Sequence, residues 1–264
     1  MERKPVTAAA EEFPAFVHPF LAGARVYDSS CSPGARVWFV DRDEGYYLKR
    51  APLGTLEREA ALTGYFHRKG LAAEVLGYER EGWDWLLTAR VPGEDCISPV
   101  YLDDPKRLCD TTAEILRMLH SADHAGCPVP NRTADYLKTA EENFRRGAYD
   151  LHLFSDRWAR FRFATPEEAW EEVSRNGRCL SADTLLHGDY CLPNIMLDDW
   201  KFSGFIDLDT GGVGDRHVDL FWGIWSLWFN LKTDALRDRF LDVYGRQDIN
   251  EDLLRVVAAI EVFA

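Results

Sequence analysis

Residues 183–207 place the strongest constraint on the fold, because short apolar segments alternate there with polar residues. An apolar segment at 183–186 leads into the motif His-Gly-Asp-Tyr-Cys-Leu-Pro-Asn at 187–194. A second apolar segment follows at 195–197, and a third, at 202–206, ends at Asp207. Short apolar runs bounded by turn residues are typical of buried strands. Polar side chains at the edges of such strands are held by a rigid scaffold, so we expect a functional site here.

Three side chains of this stretch carry the oxygen atoms that phosphoryl transfer requires. Asn194 follows Asp189 by five residues, and Asp207 follows Asn194 by thirteen. Phosphoryl transfer needs a carboxylate that orients the attacking hydroxyl, and oxygen ligands that hold Mg²⁺ against the phosphates. The order and spacing match the protein-kinase catalytic loop and its metal-binding Asp. We therefore expect Asp189 to be the catalytic base and Asn194 and Asp207 to bind the metal.

The segments HGDYCLPNIML and FSGFIDL resemble the aminoglycoside phosphotransferase family, and most closely its 3′-phosphotransferase branch. The resemblance implies an α+β, two-lobed, protein-kinase-like fold. An antiparallel sheet forms the N-terminal lobe of that fold, and the larger C-terminal lobe is mainly helical. The resemblance also implies ATP (or GTP) as phosphoryl donor with Mg²⁺, and it gives Asp189, Asn194 and Asp207 the roles expected from their chemistry.

The N-terminal part is rich in strand-forming residues and offers a cation for the nucleotide. Strands are predicted at 36–40 and 46–49, and a helix at 54–69. A strand Lys held by a helix Glu fixes the phosphates in kinases, so Lys49 and Glu59 are the candidates. In the family match Tyr47 would stack on the base. The Ser-Pro-Gly turn that contains Ser32 is a candidate phosphate-binding turn through its main-chain N–H groups.

Two further strands are predicted at 74–79 and 83–88, after which strand character stops. This predicts a nucleotide-binding lobe at residues 1–91 and a catalytic and substrate-binding lobe at 92–264. In the family the linker binds the adenine edge through its main chain. By alignment the Ala89 carbonyl and the Val91 N–H would make those contacts.

Helical periodicity predicts most of the remaining elements. Helices are expected at 105–121, 131–146, 166–175, from 219 onward, at 234–244 and at 250–263, with Asp104 and Thr165 as N-caps. Trp222, Trp225 and Trp228 recur every three residues in the helix that begins near residue 219. They form either a buried helix face or an aromatic substrate wall.

Composition narrows the function classes. Hydrophobic residues make up 46% of the 264, which supports a packed core. A net charge of −13 disfavours nucleic-acid binding and suits a cationic small molecule. Six scattered cysteines without a Cys-x-x-Cys pair suggest reduced thiols in a cytoplasmic protein. No secretory signal and no membrane-spanning run is expected, and the chain is expected to be a monomer or homodimer.

The substrate-binding positions depart from the branch pattern. Glu261 and Phe263 lie close to the pattern of an acidic-aromatic tail that contacts aminoglycosides, and Trp225 is a further candidate contact. However, Ile260, Phe229 and Asn230 stand where the branch has acidic residues. Arginines of the branch are replaced by Thr210 and Trp225. Lost carboxylates weaken recognition of a polycationic substrate.

We therefore predict a kinase that transfers the γ-phosphoryl group of ATP to a hydroxyl of an aminoglycoside antibiotic. One alternative is a kinase of the same fold acting on another amino-sugar, a choline-like amine or another hydroxylated metabolite. A second is a catalytically silent nucleotide-binding module. A protein kinase is disfavoured because no Ala-Pro-Glu segment follows Asp207.

Overall fold

Six strands form one antiparallel sheet in a computed structural model of the chain, which describes residues 4–6, 12–30, 34–151 and 161–264. The strand order is β1-β2-β3-β4-β6-β5, and every neighbouring pair is antiparallel. The strands are β1 (Lys4–Val6), β2 (Arg25–Asp28), β3 (Arg36–Asp41), β4 (Tyr46–Ala51), β5 (Val75–Glu81) and β6 (Trp83–Ala89).

The two faces of this sheet differ because successive side chains of a strand point to opposite sides. One face carries Trp38, Leu48, Trp85 and Leu87, which pack against Phe13 and other apolar residues from a segment near the N-terminus. That segment contains a short 3₁₀ helix (Ala15–Val17) and α1 (His18–Leu21). Lys49 follows Leu48 in β4 and therefore projects from the opposite face.

Helix α2 (Glu57–Arg68) starts later than the sequence predicts. The expected start was residue 54, but residues 52–55 form a turn before the helix. The Asp84 carboxylate, from β6, accepts a 2.9 Å hydrogen bond from the Leu56 N–H. A cap supplied from 28 residues away leaves no local sequence signal, so periodicity alone placed the boundary too early.

A hairpin of β9 (Ile195–Asp198) and β10 (Lys201–Phe205) groups with the first 94 residues. Contacts divide the chain into one unit of residues 1–94 and 195–209, and a second of 95–194 and 210–264. Phe205 joins the hairpin to the rest of the first unit, because its N–H donates to the Leu71 carbonyl at 2.8 Å and its ring meets Phe66. The predicted division at residues 91 and 92 stays a prediction.

The second unit is mainly helical, with a small strand pair. β8 (Thr184–Leu186) pairs antiparallel with β11 (Gly212–Gly214), and all six residues are buried. The other elements are β7 (Glu94–Asp95), α3 (Pro99–Leu102), α4 (Pro105–His120), α5 (Arg132–Arg146), α6 (Pro166–Asn176), α7 (His217–Leu231), α8 (Arg237–Tyr244), α9 (Glu251–Glu261) and 3₁₀ helices at Gly177–Cys179, Leu192–Asn194 and Arg246–Asp248.

Side-chain caps confirm the predicted starts of two helices. The Asp104 carboxylate accepts a hydrogen bond from the Arg107 N–H at the start of α4, and the Thr165 hydroxyl accepts one from the Glu168 N–H at the start of α6. The other helices predicted in this unit are also present, with ends that differ by up to three residues from the prediction. Within the described residues, no helix combines the length and the apolar character needed to cross a membrane.

Candidate active site

In the first unit, the structure brings together the predicted cation and two carboxylates. The Lys49 ammonium donates hydrogen bonds to Glu59 Oε1 at 2.9 Å and Oε2 at 2.8 Å. It also donates to Asp207 Oδ1 at 2.9 Å. β4 supplies Lys49, α2 supplies Glu59, and Asp207 follows β10. Lys49 is thus fixed by three charge-assisted hydrogen bonds to two carboxylates, and such bonds are stronger than those between neutral groups.

Burial and charge act in opposite directions on these groups. Burial alone would lower the pKa of Lys49, but the Asp207 and Glu59 carboxylates outweigh it and raise that pKa above its usual value. Burial raises the pKa of Glu59 to about 7, although the nearby Lys49 ammonium opposes the rise. Glu59 is 6% exposed, whereas the Asp207 side chain is 53% exposed. Of the two carboxylates, Asp207 is therefore the accessible one.

The backbone of Asp207 adopts a left-handed conformation, with φ of +56°. Such a conformation is uncommon for a residue other than glycine and is concentrated at functional sites. It follows directly after the apolar segment that ends at Ile206. The strand and this turn together place the Asp207 carboxylate against Lys49.

In the second unit, the structure brings Asp189 and Asn194 together. The Asn194 side-chain N–H₂ group donates to Asp189 Oδ2 at 2.8 Å and to the Asp189 main-chain carbonyl at 3.0 Å. Asn194 is buried and Asp189 half-buried. The amide orientation that satisfies these bonds leaves the Asn194 Oδ1 atom free of hydrogen bonds from described residues. This oxygen is available to a hard cation.

The loop that carries Asp189 is held by a buried carboxylate that sequence reasoning missed. Asp219, on α7, is fully buried. Its carboxylate accepts hydrogen bonds from the His187 N–H at 2.8 Å and from the Gly188 N–H at 2.7 Å. His120, at the end of α4, lies 3.1 Å from the same carboxylate. The available signal was an acidic residue in the first turn of an otherwise apolar helix.

Gly188 is required by a close approach of the main chain. Its φ is +89°, and a Cβ atom there would lie 2.0 Å from the Thr210 carbonyl oxygen. Two further loop contacts fix the residues after Asp189. The Tyr190 hydroxyl donates to the Thr112 carbonyl at 2.7 Å, and the Leu192 N–H donates to Ser226 Oγ at 2.9 Å. Asp189 therefore sits on a loop fixed at several points.

The remaining nucleotide-site predictions all fall within residues 1–94. Tyr47 is half-buried, and its ring lies 5.2 Å from that of Phe39. The Ala89 N–H donates to the Glu74 carbonyl, while the Val91 N–H forms no hydrogen bond within the described residues. The Val91 side chain packs at Gly204. Ser32 lies outside the described residues.

The predicted substrate residues lie on α7 and at the end of α9. Glu261 is 7% exposed, and its Oε1 accepts hydrogen bonds from the Tyr136 hydroxyl and from Trp222 Nε1, the latter at 3.0 Å. Burial raises the pKa of Glu261 to about 7. Phe263 is 1% exposed, and its ring packs edge-on against Phe144 and Trp170. Its predicted substrate contact stays a prediction.

Trp225 lies in a cluster of aromatic rings on α7. Its ring stacks on that of Phe229 at 4.9 Å with an interplanar angle of 11° and meets Trp222 edge-on at 5.4 Å. Trp225 is half-buried, and its buried Nε1 has no acceptor among the described residues. Phe229 is 46% exposed. This face of α7 is therefore neither fully buried nor acidic.

The family model for the phosphotransferase enzyme family matches residues 34–257. The chain belongs to this family. The match contains the residues of both clusters described above. The chain is also 48% identical over 254 residues to a probable aminoglycoside 3′-phosphotransferase of Lactococcus lactis, covering 96% of this chain and 95% of that one. An aminoglycoside 3′-phosphotransferase of Niallia circulans is 30% identical over 236 residues, covering 87% and 88%.

Solved structures of aminoglycoside phosphotransferases share the fold of this family member. An aminoglycoside-3′-phosphotransferase of type VIII superposes with a TM-score of 0.73 at 24% identity, covering 96% of each chain. An aminoglycoside phosphotransferase from Streptomyces rimosus gives a TM-score of 0.70 at 21% identity, covering 99% of this chain and 92% of that one. The predicted kinase-like α+β fold, with an antiparallel sheet followed by a mainly helical part, is confirmed.

Proposed function

We propose that this phosphotransferase moves the γ-phosphoryl group of ATP to a hydroxyl of an aminoglycoside. The observation that carries the proposal is the pairing of Asp189 with Asn194 on a loop fixed by Asp219. It puts a half-buried carboxylate, with its orientation set, next to an amide oxygen that accepts no hydrogen bond from the described residues. Phosphoryl transfer requires a catalytic loop with these two parts, a carboxylate that orients the hydroxyl and an oxygen ligand for the metal.

Asp189 is the proposed catalytic base. Its Oδ2 accepts a hydrogen bond from Asn194, and this contact limits rotation of the carboxylate. An acceptor hydroxyl bound at Asp189 would be oriented toward the γ-phosphorus and would release its proton to the carboxylate. Positioned bases of this kind contribute about 10²–10⁴-fold to a rate.

Lys49 is the proposed partner of the α- and β-phosphates, and Glu59 is its positioning residue. Glu59 contributes both carboxylate oxygens to the Lys49 ammonium. Tyr47 is proposed to stack on the base, with the Ala89 carbonyl and the Val91 N–H at its edge. Ser32 is proposed to lie on the phosphate-binding turn.

The donor set suits Mg²⁺ better than a transition metal. Among the described residues no cluster of three or more His, Cys, Asp or Glu could hold a metal. Mg²⁺ commonly takes only one or two protein oxygens and completes its shell with phosphate and water. Asn194 Oδ1 and the exposed Asp207 carboxylate are the proposed ligands. When bound, the ion would neutralise charge on the phosphates.

The acceptor class is supported by the names of the relatives and by one buried acid. The relatives from Lactococcus lactis and Niallia circulans carry aminoglycoside 3′-phosphotransferase names. Glu261 Oε2 accepts no hydrogen bond from the described residues, so it can receive one from a substrate amine. Trp225 is proposed to cover a sugar ring of the acceptor, and Phe263 is a further proposed contact.

A second candidate acceptor is a less cationic hydroxylated small molecule. The observation that favours it is the aromatic surface of α7. The stacked rings of Trp225 and Phe229 form this surface, and neither residue offers a carboxylate to an ammonium group. An aminoglycoside carries several ammonium groups, and fewer acidic partners weaken its binding.

A panel of acceptors distinguishes these candidates. ADP release by the purified protein with Mg·ATP would be measured with kanamycin, with streptomycin, with choline and without acceptor. We expect release to depend on kanamycin. Release that depends on choline alone would support the second candidate, and release that no acceptor increases would contradict both.

A further inference from the structure

The six-stranded sheet carries two arginines directly opposite one another, where β3 begins and β4 ends. In the register of β3 with β4, Arg36 pairs with Arg50, so both side chains project from the same face. Like charges at directly opposite positions of an antiparallel pair are destabilising. In a protein with a net charge of −13 this pairing of cations is unexpected.

Three indole rings hold the two guanidinium groups. Arg50 lies 4.7 Å from the ring centroid of Trp83, and 5.5 Å from the ring centroids of both Trp38 and Trp85. Arg36 lies 4.9 Å from the same Trp38 ring. Stacking occupies the faces of a guanidinium group and leaves its N–H donors, which lie in the plane, available.

The two arginines differ in their acidic partners. Arg36 Nε lies 3.6 Å from the Asp28 carboxylate, and the pKa of Asp28 is lowered, chiefly by hydrogen bonds from Ser30 and further by the charge of Arg36. Arg50 forms no hydrogen bond or ion pair with any described residue. Arg50 therefore has no counter-charge among the described residues, although the aromatic rings fix its position.

A cavity of about 350 Å³ opens at this pair of arginines. Arg36, Arg50, Asp28 and Trp83 line it, together with Ser30 and Gly34. Trp83 is 44% exposed, so part of its ring faces solvent. The cavity lies on the face of the sheet opposite to Lys49, because Arg50 is the next residue in β4. The Arg50 and Lys49 side chains are thus on opposite faces, although Gly34 also belongs to the turn proposed to bind the nucleotide phosphates.

We propose that this cavity is a binding site for a phosphate group, with Arg50 as the main ligand and Arg36 as the second. A guanidinium group matches the geometry of a phosphate with two parallel hydrogen bonds. A dianion would also relieve the repulsion between the two opposed cations. The exposed part of the Trp83 ring would contact a ring attached to the phosphate.

The experiment measures binding by isothermal titration calorimetry, with Mg·AMP-PNP present at saturation so that the nucleotide site is filled. The two probes are inorganic phosphate and phenyl phosphate. We expect both to bind, and phenyl phosphate to bind more tightly. Arg50→Gln and Arg50→Lys should each weaken binding by roughly 10-fold or more. Glutamine removes the charge, and lysine keeps the charge but lacks the two parallel N–H donors of the guanidinium group.

Matched variants separate the site from general electrostatics and from misfolding. Arg25→Gln removes an 83% exposed arginine from the same sheet and should leave the affinity unchanged. Trp83→Ala should remove the preference for phenyl phosphate but keep the binding of inorganic phosphate. Arg50→Lys preserves the positive charge, and circular dichroism checks its fold. No binding of either probe to the wild type, or equal affinities of wild type and both Arg50 variants, would overturn the proposal.

Discussion

The carboxylate of Asp219 accepts a 2.7 Å hydrogen bond from the main-chain N–H of Gly188, the residue before Asp189. The Asp219 side chain is fully buried, and it binds the His187 N–H as well. A helix side chain thus fixes the loop that presents the proposed base.

Asp219→Asn should therefore impair both stability and turnover. The amide offers one acceptor and places an N–H₂ group against a loop N–H, which leaves a buried donor unsatisfied. We expect the free energy of unfolding to fall by ~2–4 kcal/mol, as for lost hydrogen bonds to a buried charge. We expect kcat to fall roughly 10²-fold through misplacement of Asp189. Urea unfolding and steady-state kinetics measure the two effects.

The control variant is Glu114→Gln, at an exposed position of α4, which should change neither the free energy of unfolding nor kcat. Wild-type kcat in Asp219→Asn would refute the positioning role.

The Lys49–Glu59 pair predicts a separation of stability from activity. Lys49→Met leaves the buried Glu59 without its cation, which costs ~3–5 kcal/mol when the carboxylate is ionised. Because burial already raises the pKa of Glu59 to about 7, this loss should be larger at pH 8 than at pH 6. The double variant Lys49→Met with Glu59→Gln should recover much of the stability. It should not recover kcat/KM for ATP, since the cation is still missing. A double variant as active as the wild type would exclude Lys49 from the phosphate site.

Glu261 predicts a pH dependence of stability. Its pKa rises from the usual 4.5 to about 7 on burial, so the folded state keeps a proton that the unfolded state releases. The contribution of Glu261 to the free energy of unfolding should therefore decrease as the pH rises from about 4.5 to about 7. Over that window it amounts to about 3 kcal/mol.

Glu261→Gln should flatten this dependence, and chemical unfolding at several pH values measures it. Glu59 contributes in the same direction in both proteins, so the informative quantity is the difference between them. A difference that does not vary between pH 5 and pH 8 would contradict the raised pKa of the buried Glu261 carboxyl.

Trp225→Ala tests the aromatic surface of α7. The ring stacks on Phe229, and we propose that it covers a sugar ring of the acceptor. Aromatic contacts with cations and ring faces contribute about 0.5–2 kcal/mol, so the KM for the acceptor should rise ~2–30-fold. The KM for ATP should stay unchanged. Trp83→Ala, in the first unit, is the matched control. An unchanged KM for the acceptor would assign Trp225 to helix packing alone.

The sequence predicts those parts of the site that depend on local spacing. Lys49 and Glu59 lie ten residues apart on adjacent elements, and the structure brings them into contact. Asp189 and Asn194 belong to one short loop, where the strand before it and the turn after it fix their positions. In both cases the residue type, the spacing and the neighbouring apolar segments point to the same chemistry.

Other features depend on contacts between distant parts of the chain, and the sequence does not contain a local signal for them. Asp219 is 31 residues from Gly188. Asp84 is 28 residues from Leu56, whose N–H donates a hydrogen bond to it at the start of α2. The burial of Glu261 depends on Tyr136, which is 125 residues away. Hydrophobic periodicity describes one element at a time and therefore misses partners of this kind.

The most direct measurement is mass spectrometry of kanamycin after incubation with Mg·ATP and either the wild-type protein or Asp189→Asn. The wild type should add one phosphoryl group to kanamycin, and the variant, whose thermal unfolding should match that of the wild type, should do so at least ~10²-fold more slowly. Phosphorylation of kanamycin at equal rates by the two proteins, or none by the wild type, would contradict the account.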